Sequence, residues 1–196
     1  MSVAAVVLAA GGSRRLGQAK QLFVYEGNTL VRRAVEAAVE AGCDPVVVVV
    51  GRDGKNVAAN LVGTAVAILP NESWETGIGS SIRIGVAKIR DEDATFILTC
   101  DQPKVGANLL AAIIEKQMET QKPMIACRYA KTIGVPALFA RACLERLCSL
   151  GDSEGAKSLL LSRPNDLATV DFPEGAIDID TPDDFAALIG HRQKNV

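Results

Sequence analysis

Five short apolar runs, rich in β-branched residues, alternate along the chain with stretches in which apolar residues recur at helical spacing. This alternation constrains the fold more than any other feature, because strands that alternate with helices form βαβ units around a parallel sheet. The runs lack the alternating polarity of half-exposed strands, so we expect strands covered on both faces. They are Val3–Leu8, Pro45–Val50, Ala65–Leu69, Thr95–Cys100 and Met124–Arg128.

Helix signals fill the segments between these runs. Asn28 is a predicted cap and Gly42 a predicted stop for a helix whose apolar stripe consists of Leu30, Val31, Ala34, Val35, Ala38 and Val39. Further stripes predict helices over Ile82–Ile89, Ala107–Met118 and Leu144–Leu150, and further strands are predicted over Leu167–Val170 and Ile177–Ile179. We therefore expect a single domain over residues 1–196, a three-layer α/β/α fold with a mostly parallel, Rossmann-like sheet.

Charge and apolar content exclude several classes of partner. The chain has 21 basic and 23 acidic side chains and a formal net charge of −2, so we expect no nucleic-acid and no membrane partner, and a small ligand instead. The apolar run at the N-terminus lacks a preceding basic region, which favours a buried strand over a signal peptide. No apolar stretch approaches the roughly 20 residues that span a bilayer.

Cysteine and histidine content narrows the chemistry. The five cysteines include no C-x-x-C pair, which predicts buried, reduced thiols in a cytoplasmic protein. The single histidine, His191, lies six residues from the C-terminus. Histidine triads and histidine metal clusters are therefore disfavoured, and any catalysis is expected to depend on carboxylates, Lys, Arg and a metal.

A turn of small residues follows the first apolar run and leads into a group of cations. It reads Leu8-Ala9-Ala10-Gly11-Gly12-Ser13-Arg14-Arg15-Leu16-Gly17-Gln18-Ala19-Lys20. Small side chains let backbone N–H groups approach anionic oxygens, and Arg and Lys neutralise a triphosphate. The alternative is an ordinary glycine turn with surface cations. The spacing fits neither a Walker A loop nor a G-x-G-x-x-G turn, so both of those nucleotide folds are disfavoured.

A carboxylate ends one of the buried strands. In Thr99-Cys100-Asp101-Gln102-Pro103, the proline prevents the strand from continuing, and Asp101 is placed to hold a hard cation at the strand end. The alternative for a lone aspartate at this position is a turn or cap residue.

A second acidic segment, Asp178-Ile179-Asp180-Thr181-Pro182-Asp183-Asp184, lies near the C-terminus. Asp178 and Asp180 project on the same side of an extended chain, so both can face one metal. Asp183 and Asp184 are better explained by a helix that begins here, with Thr181 as the N-cap and the acids facing the helix dipole. A triphosphate cradle and two carboxylate sites together predict nucleotidyl transfer assisted by Mg²⁺, which requires no histidine.

These motifs, in this order, resemble those of the MobA-like nucleotidyltransferases, most closely the molybdenum cofactor cytidylyltransferases. The first loop matches their signature at Leu8-Ala9-Ala10-Gly11-x-Ser13-x-Arg15-x-Gly17-x-x-Lys20. The match continues over nearly the whole chain, through Asn71, Trp74, Gly77, Ser80-Ser81-Ile82-Arg83-x-Gly85, Asp101-Gln102-Pro103, Gly134-x-Pro136, Gly151-Asp152 and Asp178-Ile179-Asp180-Thr181-Pro182.

The resemblance implies roles for individual residues. Lys20, Arg15 and Asp101 would be catalytic, with the two cations on the phosphates, and Asp101 would bind Mg²⁺ with Asp178 or Asp180. Relatives that use GTP tend to read Leu-Ala-Gly-Gly in the first loop, so Ala10 favours CTP. The implied nucleotide-binding residues are Leu8, Ala9, Ala10, Gly11, Gly12, Ser13, Arg15, Lys20, Gly77, Ser81 and Asp101.

The resemblance also implies an acceptor, molybdopterin or the molybdenum cofactor, and transient contact with a molybdoenzyme or its chaperone. The departures from the family pattern lie on this acceptor side. Val135 stands where many relatives carry a polar residue, the loop after Gly151 is one residue longer, and Lys157 replaces the usual Arg. The nucleotide half therefore fits the family better than the acceptor half.

Two other functions remain open. Asp178-x-Asp180 has the spacing of the metal-binding motif of nucleotide-sugar glycosyltransferases, although that motif is expected at the end of a middle strand. A non-catalytic module that binds nucleotide and regulates a partner is the other alternative. Nucleotidyl transfer releases pyrophosphate, and neither alternative does.

Overall fold

A seven-stranded sheet forms the centre of the protein in the computed structural model, which describes residues 1–12, 17–89, 91–179 and 181–190. The strand order is β5-β4-β1-β6-β8-β7-β9, and β2 pairs with β3 in a separate two-stranded hairpin. The strands are β1 (Val3–Ala9), β2 (Val24–Tyr25), β3 (Asn28–Thr29), β4 (Val46–Val50), β5 (Ala67–Pro70), β6 (Ala94–Thr99), β7 (Met124–Tyr129), β8 (Thr132–Ala140) and β9 (Leu167–Asp171).

Helices cover both faces of this sheet, as the sequence predicts. Alternate residues of β1 point to opposite sides, so that Val7 packs in one apolar cluster and Val6 in another. The first cluster includes Val35, and the second includes Ile82. The helices are α1 (Leu30–Glu40), α2 (Gly54–Asn60), α3 (Ile78–Lys88), α4 (Ala107–Thr120), α5 (Leu144–Cys148), α6 (Ala156–Ser162) and α7 (Pro182–Gly190). The predicted three-layer α/β/α fold is confirmed.

The sheet is mostly parallel, with one antiparallel strand that the sequence did not predict. Strands β5, β4, β1 and β6 run parallel, whereas β8 runs antiparallel to both β6 and β7. Gly134 and Pro136 interrupt the run of residues that would predict a strand at β8. A proline also has no backbone N–H to donate to a neighbouring strand. The pairing with β7 shifts at Ala126, so Val135 and Pro136 have no partner in the register. This bulge lets a proline lie inside a central strand.

The start of α1 corrects one prediction. The residue before the helix is Thr29, and no side chain caps its first turn. Asn28, the predicted cap, instead belongs to β3, and its side-chain amide donates to Glu36 at 2.8 Å. The apolar stripe of the helix is confirmed from Leu30 to Ala38, whereas Val39, which the sequence assigns to it, is exposed. Gly42 follows the helix with φ 83°, a left-handed backbone that favours glycine.

The C-terminal segment confirms one prediction and corrects another. Residues Ile177–Ile179 do not form a strand, since only the N–H of Ile179 reaches the sheet edge, donating to the Asp101 carbonyl at 3.1 Å. The predicted N-cap is present: the Asp184 N–H donates to Thr181 Oγ1 at 3.2 Å, and the Thr181 N–H donates to Asp184 Oδ2 at 2.7 Å. This reciprocal pair is a capping box at the start of α7.

Two further expectations concern the cysteines and membrane spans. All five cysteines are free thiols, with Cys148 partly exposed and the others buried. No helix in the described parts of the chain is both long enough and apolar enough to cross a bilayer.

Candidate active site

A cavity of about 420 Å³ opens at the carboxyl ends of β1 and β6, beside the first turn of α3. Ligands of open α/β sheets bind at this edge, because the loops that follow neighbouring parallel strands gather there. The cavity is lined by Leu8, Ala10, Gly11, Gly12, Lys20, Gln21, Trp74, Glu75, Gly77, Ile78, Ser81, Thr99, Cys100 and Asp101.

Most of the predicted nucleotide-binding residues line this cavity. They are Leu8, Ala10, Gly11, Gly12, Lys20, Gly77, Ser81 and Asp101. Ala9 is the last residue of β1 and lies directly below the turn. Ser13 and Arg15, which carry two further predictions, lie outside the described residues, as does Asp180.

An ion pair joins the two residues with the strongest catalytic predictions. Lys20 Nζ lies 2.6 Å from Asp101 Oδ2, and the two side chains are 15% and 24% exposed. Lys20 begins a short 3₁₀ turn after the first loop, and Asp101 follows β6. Two residues far apart in sequence thus meet at the cavity wall. The pair places a cation and a carboxylate side by side in the cavity wall.

A buried glutamine holds the backbone of the first loop. Gln21 is 2% exposed, and its Nε2 donates to the Ala9 carbonyl at 3.0 Å and to the Gly11 carbonyl at 2.6 Å. No described residue accepts a hydrogen bond from the N–H of Gly11 or Gly12. With its carbonyls tied back by Gln21, the turn can present N–H donors to an anion. Sequence reasoning missed Gln21, because a glutamine beside Lys20 carries no signal of this contact.

Trp74 forms a wall of the cavity and explains two glycines. A Cβ atom on Gly12 would lie 2.5 Å from the indole ring, and one on Gly51 would lie 2.9 Å from it and 2.5 Å from the Ala10 carbonyl oxygen. The tryptophan therefore packs on bare backbone at the ends of β1 and β4. This packing also places an aromatic face beside the ligand space.

The loop after α5 packs against the first turns of α3, the helix whose start lines the cavity. The N–H of Gly79 donates to the Asp152 carbonyl at 2.9 Å. The Arg83 side chain donates from Nη1 to the Leu150 carbonyl at 2.5 Å, and its Nη2 pairs with the Asp152 carboxylate. Gly77 has φ 140°, and a Cβ on it would collide with the Asp152 carbonyl. Glycine at this position therefore allows α3 and the loop to touch.

The C-terminal segment that carries Asp178 is bound to the chain that follows β6. The hydrogen bond from Ile179 to the Asp101 carbonyl ties the two segments together, and Gln102 Nε2 donates to the Gly175 carbonyl at 3.2 Å. Burial raises the pKa of Tyr129, a hydrogen bond with Gln102 acts in the opposite direction, and the Asp178 and Asp101 carboxylates raise it further.

The carboxylates fit a magnesium ion that shares its ligands with a substrate. Within the described ranges, no group of three His, Cys, Asp or Glu side chains forms a ready-made metal cage. Magnesium usually keeps several waters and binds one or two carboxylates together with substrate phosphates. Asp101 and the exposed Asp178 provide such a set of hard oxygen donors. The arrangement is suited to a metal that arrives with a nucleotide.

Comparisons with known proteins identify several relatives of this chain. Nicotine blue oxidoreductase from Paenarthrobacter nicotinovorans is 34% identical over 113 residues, which are 57% of this chain and 55% of that protein. Molybdenum cofactor cytidylyltransferase from Escherichia coli K12 is 23% identical over 181 residues, 92% of each chain. The crystal structure of Rv0371c from Mycobacterium tuberculosis H37Rv in complex with manganese superimposes with a TM-score of 0.80 and 27% identity, covering 97% of this chain and 99% of that one.

The sequence profile of the MobA-like NTP transferase domain matches residues 5–167, from within β1 to the first residue of β9. This span contains Lys20, Asp101 and the α3 residues of the cavity wall. The chain belongs to the MobA-like NTP transferase family.

Proposed function

We propose that this nucleotidyltransferase uses Mg²⁺ to transfer CMP from CTP to the phosphate of a small acceptor, and that molybdopterin or the molybdenum cofactor is that acceptor. The observation that carries the proposal is the Lys20–Asp101 pair in the wall of a cavity of about 420 Å³, large enough for a nucleotide, beside a turn that can present N–H donors. Nucleotidyl transfer needs little beyond such positioning and charge.

The residues of the site divide the work of the reaction. An oxygen of the acceptor phosphate attacks the α-phosphorus of CTP, the bond from that phosphorus to its bridging oxygen breaks, and pyrophosphate leaves with the electron pair. Lys20 moves from Asp101 to the triphosphate oxygens and offsets charge in the transition state. Arg15 has the same role in the proposal. An anionic acceptor needs no general base, which fits a chain whose single histidine is His191.

A metal completes the proposed site. Bound magnesium would neutralise and align the phosphates, held by Asp101 with Asp178 or Asp180. The Rv0371c protein, which has the same fold and is 27% identical to this chain, crystallised in complex with manganese, and this supports a divalent ion here. When Lys20 leaves Asp101 for the arriving triphosphate, oxygens of the Asp101 carboxylate would become available to the metal. Binding of the nucleotide and binding of the metal would therefore be coupled.

The acceptor and the base are supported by the relative from Escherichia coli, whose name specifies the molybdenum cofactor and cytidylyl transfer. Ala10 in the first loop also supports the choice of CTP, since relatives that use GTP tend to carry glycine at this position. If this residue favours cytosine, Ala10→Gly should reduce the ratio of CTP to GTP turnover. A wild-type protein that prefers GTP would overturn the choice of base and leave nucleotidyl transfer intact.

The experiment is a screen for pyrophosphate release. Each of the four NTPs is combined with molybdopterin, the molybdenum cofactor, and several phosphorylated sugars and alcohols, with and without Mg²⁺. The proposal predicts release from CTP with molybdopterin or the cofactor, dependent on Mg²⁺. Glycosyl transfer would instead consume a nucleotide sugar without pyrophosphate, and a non-catalytic module would bind CTP without turnover.

One relative calls for a separate control. Because a protein named nicotine blue oxidoreductase is 34% identical over about half of the chain, loss of nicotine blue colour is measured with an added reductant in parallel. Colour loss without pyrophosphate release from any NTP would contradict the proposal.

A further inference from the structure

Two hydrogen bonds enclose the stretch of chain that carries Asp178. The Gln102 side chain donates from Nε2 to the Gly175 carbonyl at 3.2 Å, and the Ile179 N–H donates to the Asp101 carbonyl at 3.1 Å. Residues 175–179, which we call the clamped segment, are therefore bonded at both ends to two consecutive residues that follow β6. The backbone of Asp178 is thus held beside Asp101 from two sides.

The two ends of the clamped segment are anchored by different means. Ile179 is fully buried and packs in an apolar cluster with Phe23 and Leu30, so its position depends on the core. Gly175 lies in a 3₁₀ turn, and residues 177–179 form neither helix nor strand. Among the described residues, Gln102 provides the only side chain that hydrogen-bonds to this turn. The position of the exposed Asp178 therefore depends on Gln102 at one end.

The burial of Gln102 indicates that its contact does more than stabilise the fold. The residue is 6% exposed, and its buried Oε1 accepts no hydrogen bond from any described residue. An acceptor left unpaired in the interior is costly, whereas an apolar side chain of the same shape would avoid that cost. Gln102 also does not line the cavity, although Asp101 beside it does. Its contact with Gly175 is thus the feature that calls for an amide here.

We propose that Gln102 is a positioning residue for the metal, which holds the clamped segment so that a C-terminal carboxylate reaches the cation bound by Asp101. This inference rests on the proposed function, in which Asp101 shares Mg²⁺ with Asp178 or Asp180. It adds a residue that touches neither the metal nor the nucleotide and that sets the affinity of the metal site. A segment ordered in advance loses less conformational entropy when the metal binds.

The chemistry of the amide suits this role. Carboxylates that converge on one site repel each other before a cation arrives, so a segment anchored only at Ile179 would move its carboxylate away. The hydrogen bond from Gln102 opposes this movement. Because the amide is neutral, it holds the segment without competing with the cation for the carboxylates, as a Lys or Arg side chain would.

The test measures the binding of Mn²⁺ alone to the intact chain, from the loss of the electron paramagnetic resonance signal of free Mn²⁺, together with thermal melting. Mn²⁺ prefers the same oxygen ligands as Mg²⁺. Gln102→Met keeps the length of the side chain and removes the donor, so it should weaken Mn²⁺ binding about fivefold, the value of one hydrogen bond. The shorter amide of Gln102→Asn should have a similar effect, and it provides the measurement if Gln102→Met does not fold.

A double-mutant cycle separates positioning from general stability. Asp178→Asn and Asp180→Asn are each made in the wild type and in Gln102→Met. The carboxylate variant that weakens Mn²⁺ binding in the wild type should weaken it by about twofold or less in Gln102→Met, because the carboxylate is no longer held at the metal. A residue that only stabilised the fold would leave the two effects independent.

Gln117→Met is the matched control, because it makes the same substitution at another buried glutamine. Gln117 is 7% exposed and lies near the end of α4. It lines a cavity with Asp93, which precedes β6, so it lies at the edge of the sheet opposite Asp101. Mn²⁺ binding should be unchanged in this variant, whatever its melting temperature.

The outcomes separate this inference from the proposed function. Wild-type protein that binds no Mn²⁺, or that binds it equally well after loss of either C-terminal carboxylate, would contradict the metal site of the proposed function and the inference with it. Wild-type protein that depends on one of these carboxylates, with Mn²⁺ binding unchanged in both Gln102 variants, would overturn the inference alone. Equal losses in Gln102→Met and Gln117→Met, or a carboxylate effect of the same size with and without Gln102, would also overturn it.

Discussion

The two halves of the sheet are built differently. From β5 to β6 the strands are parallel, and at their common end lie buried polar side chains that hold backbone and hydroxyls in place, such as Gln21 and Asn71. In the part of the sheet formed by β8, β7 and β9, strand β8 runs antiparallel to both of its neighbours. The polar contacts there include exposed ion pairs such as Arg128–Asp171. Exposed pairs contribute little to stability, whereas buried hydrogen bonds fix geometry.

This difference indicates a division of labour within the site. In the proposed function, the parallel half would form a fixed surface for the nucleotide. The other half contributes Asp178 from an irregular, exposed segment, and it contains the family positions at which this sequence departs, such as Val135. Variants in the parallel half should therefore affect nucleotide chemistry strongly, and variants in the other half that lie away from Asp178 should act mainly on stability.

The largest effect is expected from the removal of the cation in the parallel half. Lys20→Met should lower turnover by about 10²-fold or more, because it removes a charge from the developing transition state. Lys104→Met is the matched control, since Lys104 lies three residues after Asp101 but bonds to Tyr25 Oη at 2.6 Å and does not line the cavity. Pyrophosphate release by both variants is the measurement, and similar losses in the two would contradict the role of Lys20.

A smaller effect is expected where α3 touches the loop after α5. A Cβ on Gly79 would collide with the carbonyls of Gly151 and Glu154, so Gly79→Ala should destabilise the protein by about 1–3 kcal/mol and loosen the cavity wall. A Cβ on Gly106 would meet open space, so we expect Gly106→Ala to lower the free energy of unfolding by less than about 1 kcal/mol. Urea unfolding of both variants measures the difference, and equal free energies of unfolding would show that the contact has no role.

The capping box of α7 should act on stability alone. Thr181→Ala removes the oxygen that accepts from Asp184 and should cost about 1 kcal/mol. Asp183 is exposed and has no part in this box, so Asp183→Asn should cost less, under about 0.5 kcal/mol. Urea unfolding of both variants measures which of them loses more free energy of unfolding. A larger loss in Asp183→Asn would overturn the assignment of the cap.

The least perturbing test is thiol labelling, which compares the two halves directly. Burial raises the pKa of Cys100 in the parallel half and of Cys127 in the other half to about 12. Their thiols should therefore stay protonated and unreactive at about pH 8. Mass spectrometry after alkylation should find no more than one label per native chain, on Cys148, and five after unfolding. Rapid labelling of Cys100 would show that the base of the cavity opens.

The apolar runs were sufficient to predict most of the sheet, because residues such as Val46–Val50 are buried on both faces and carry their signal locally. Asp101 could be identified for a similar reason, as a charge directly after a buried strand. Strand β8 was not predicted, since Pro136 argues against a strand unless a bulge is present, and the bulge depends on pairing with β7.

The remaining features of the site depend on contacts between distant residues. The Lys20–Asp101 pair spans 81 positions, and the partners of Gln21 and Asn71 become visible only once the strands are assembled. Asn71 could be singled out from the sequence by resemblance but not by its chemistry. Local patterns therefore predict which strand ends carry a site, and the folded chain determines which side chains meet there.

The most direct test of nucleotidyl transfer at this site is Asp101→Asn, measured by thermal melting and by pyrophosphate release across a Mg²⁺ titration. The amide keeps the shape of the side chain and loses the charge that holds a cation. We expect a nearly unchanged melting temperature, turnover lower by orders of magnitude, and only partial recovery at high Mg²⁺. Normal turnover at limiting Mg²⁺ would show that Asp101 is not the metal ligand and that the active site lies elsewhere.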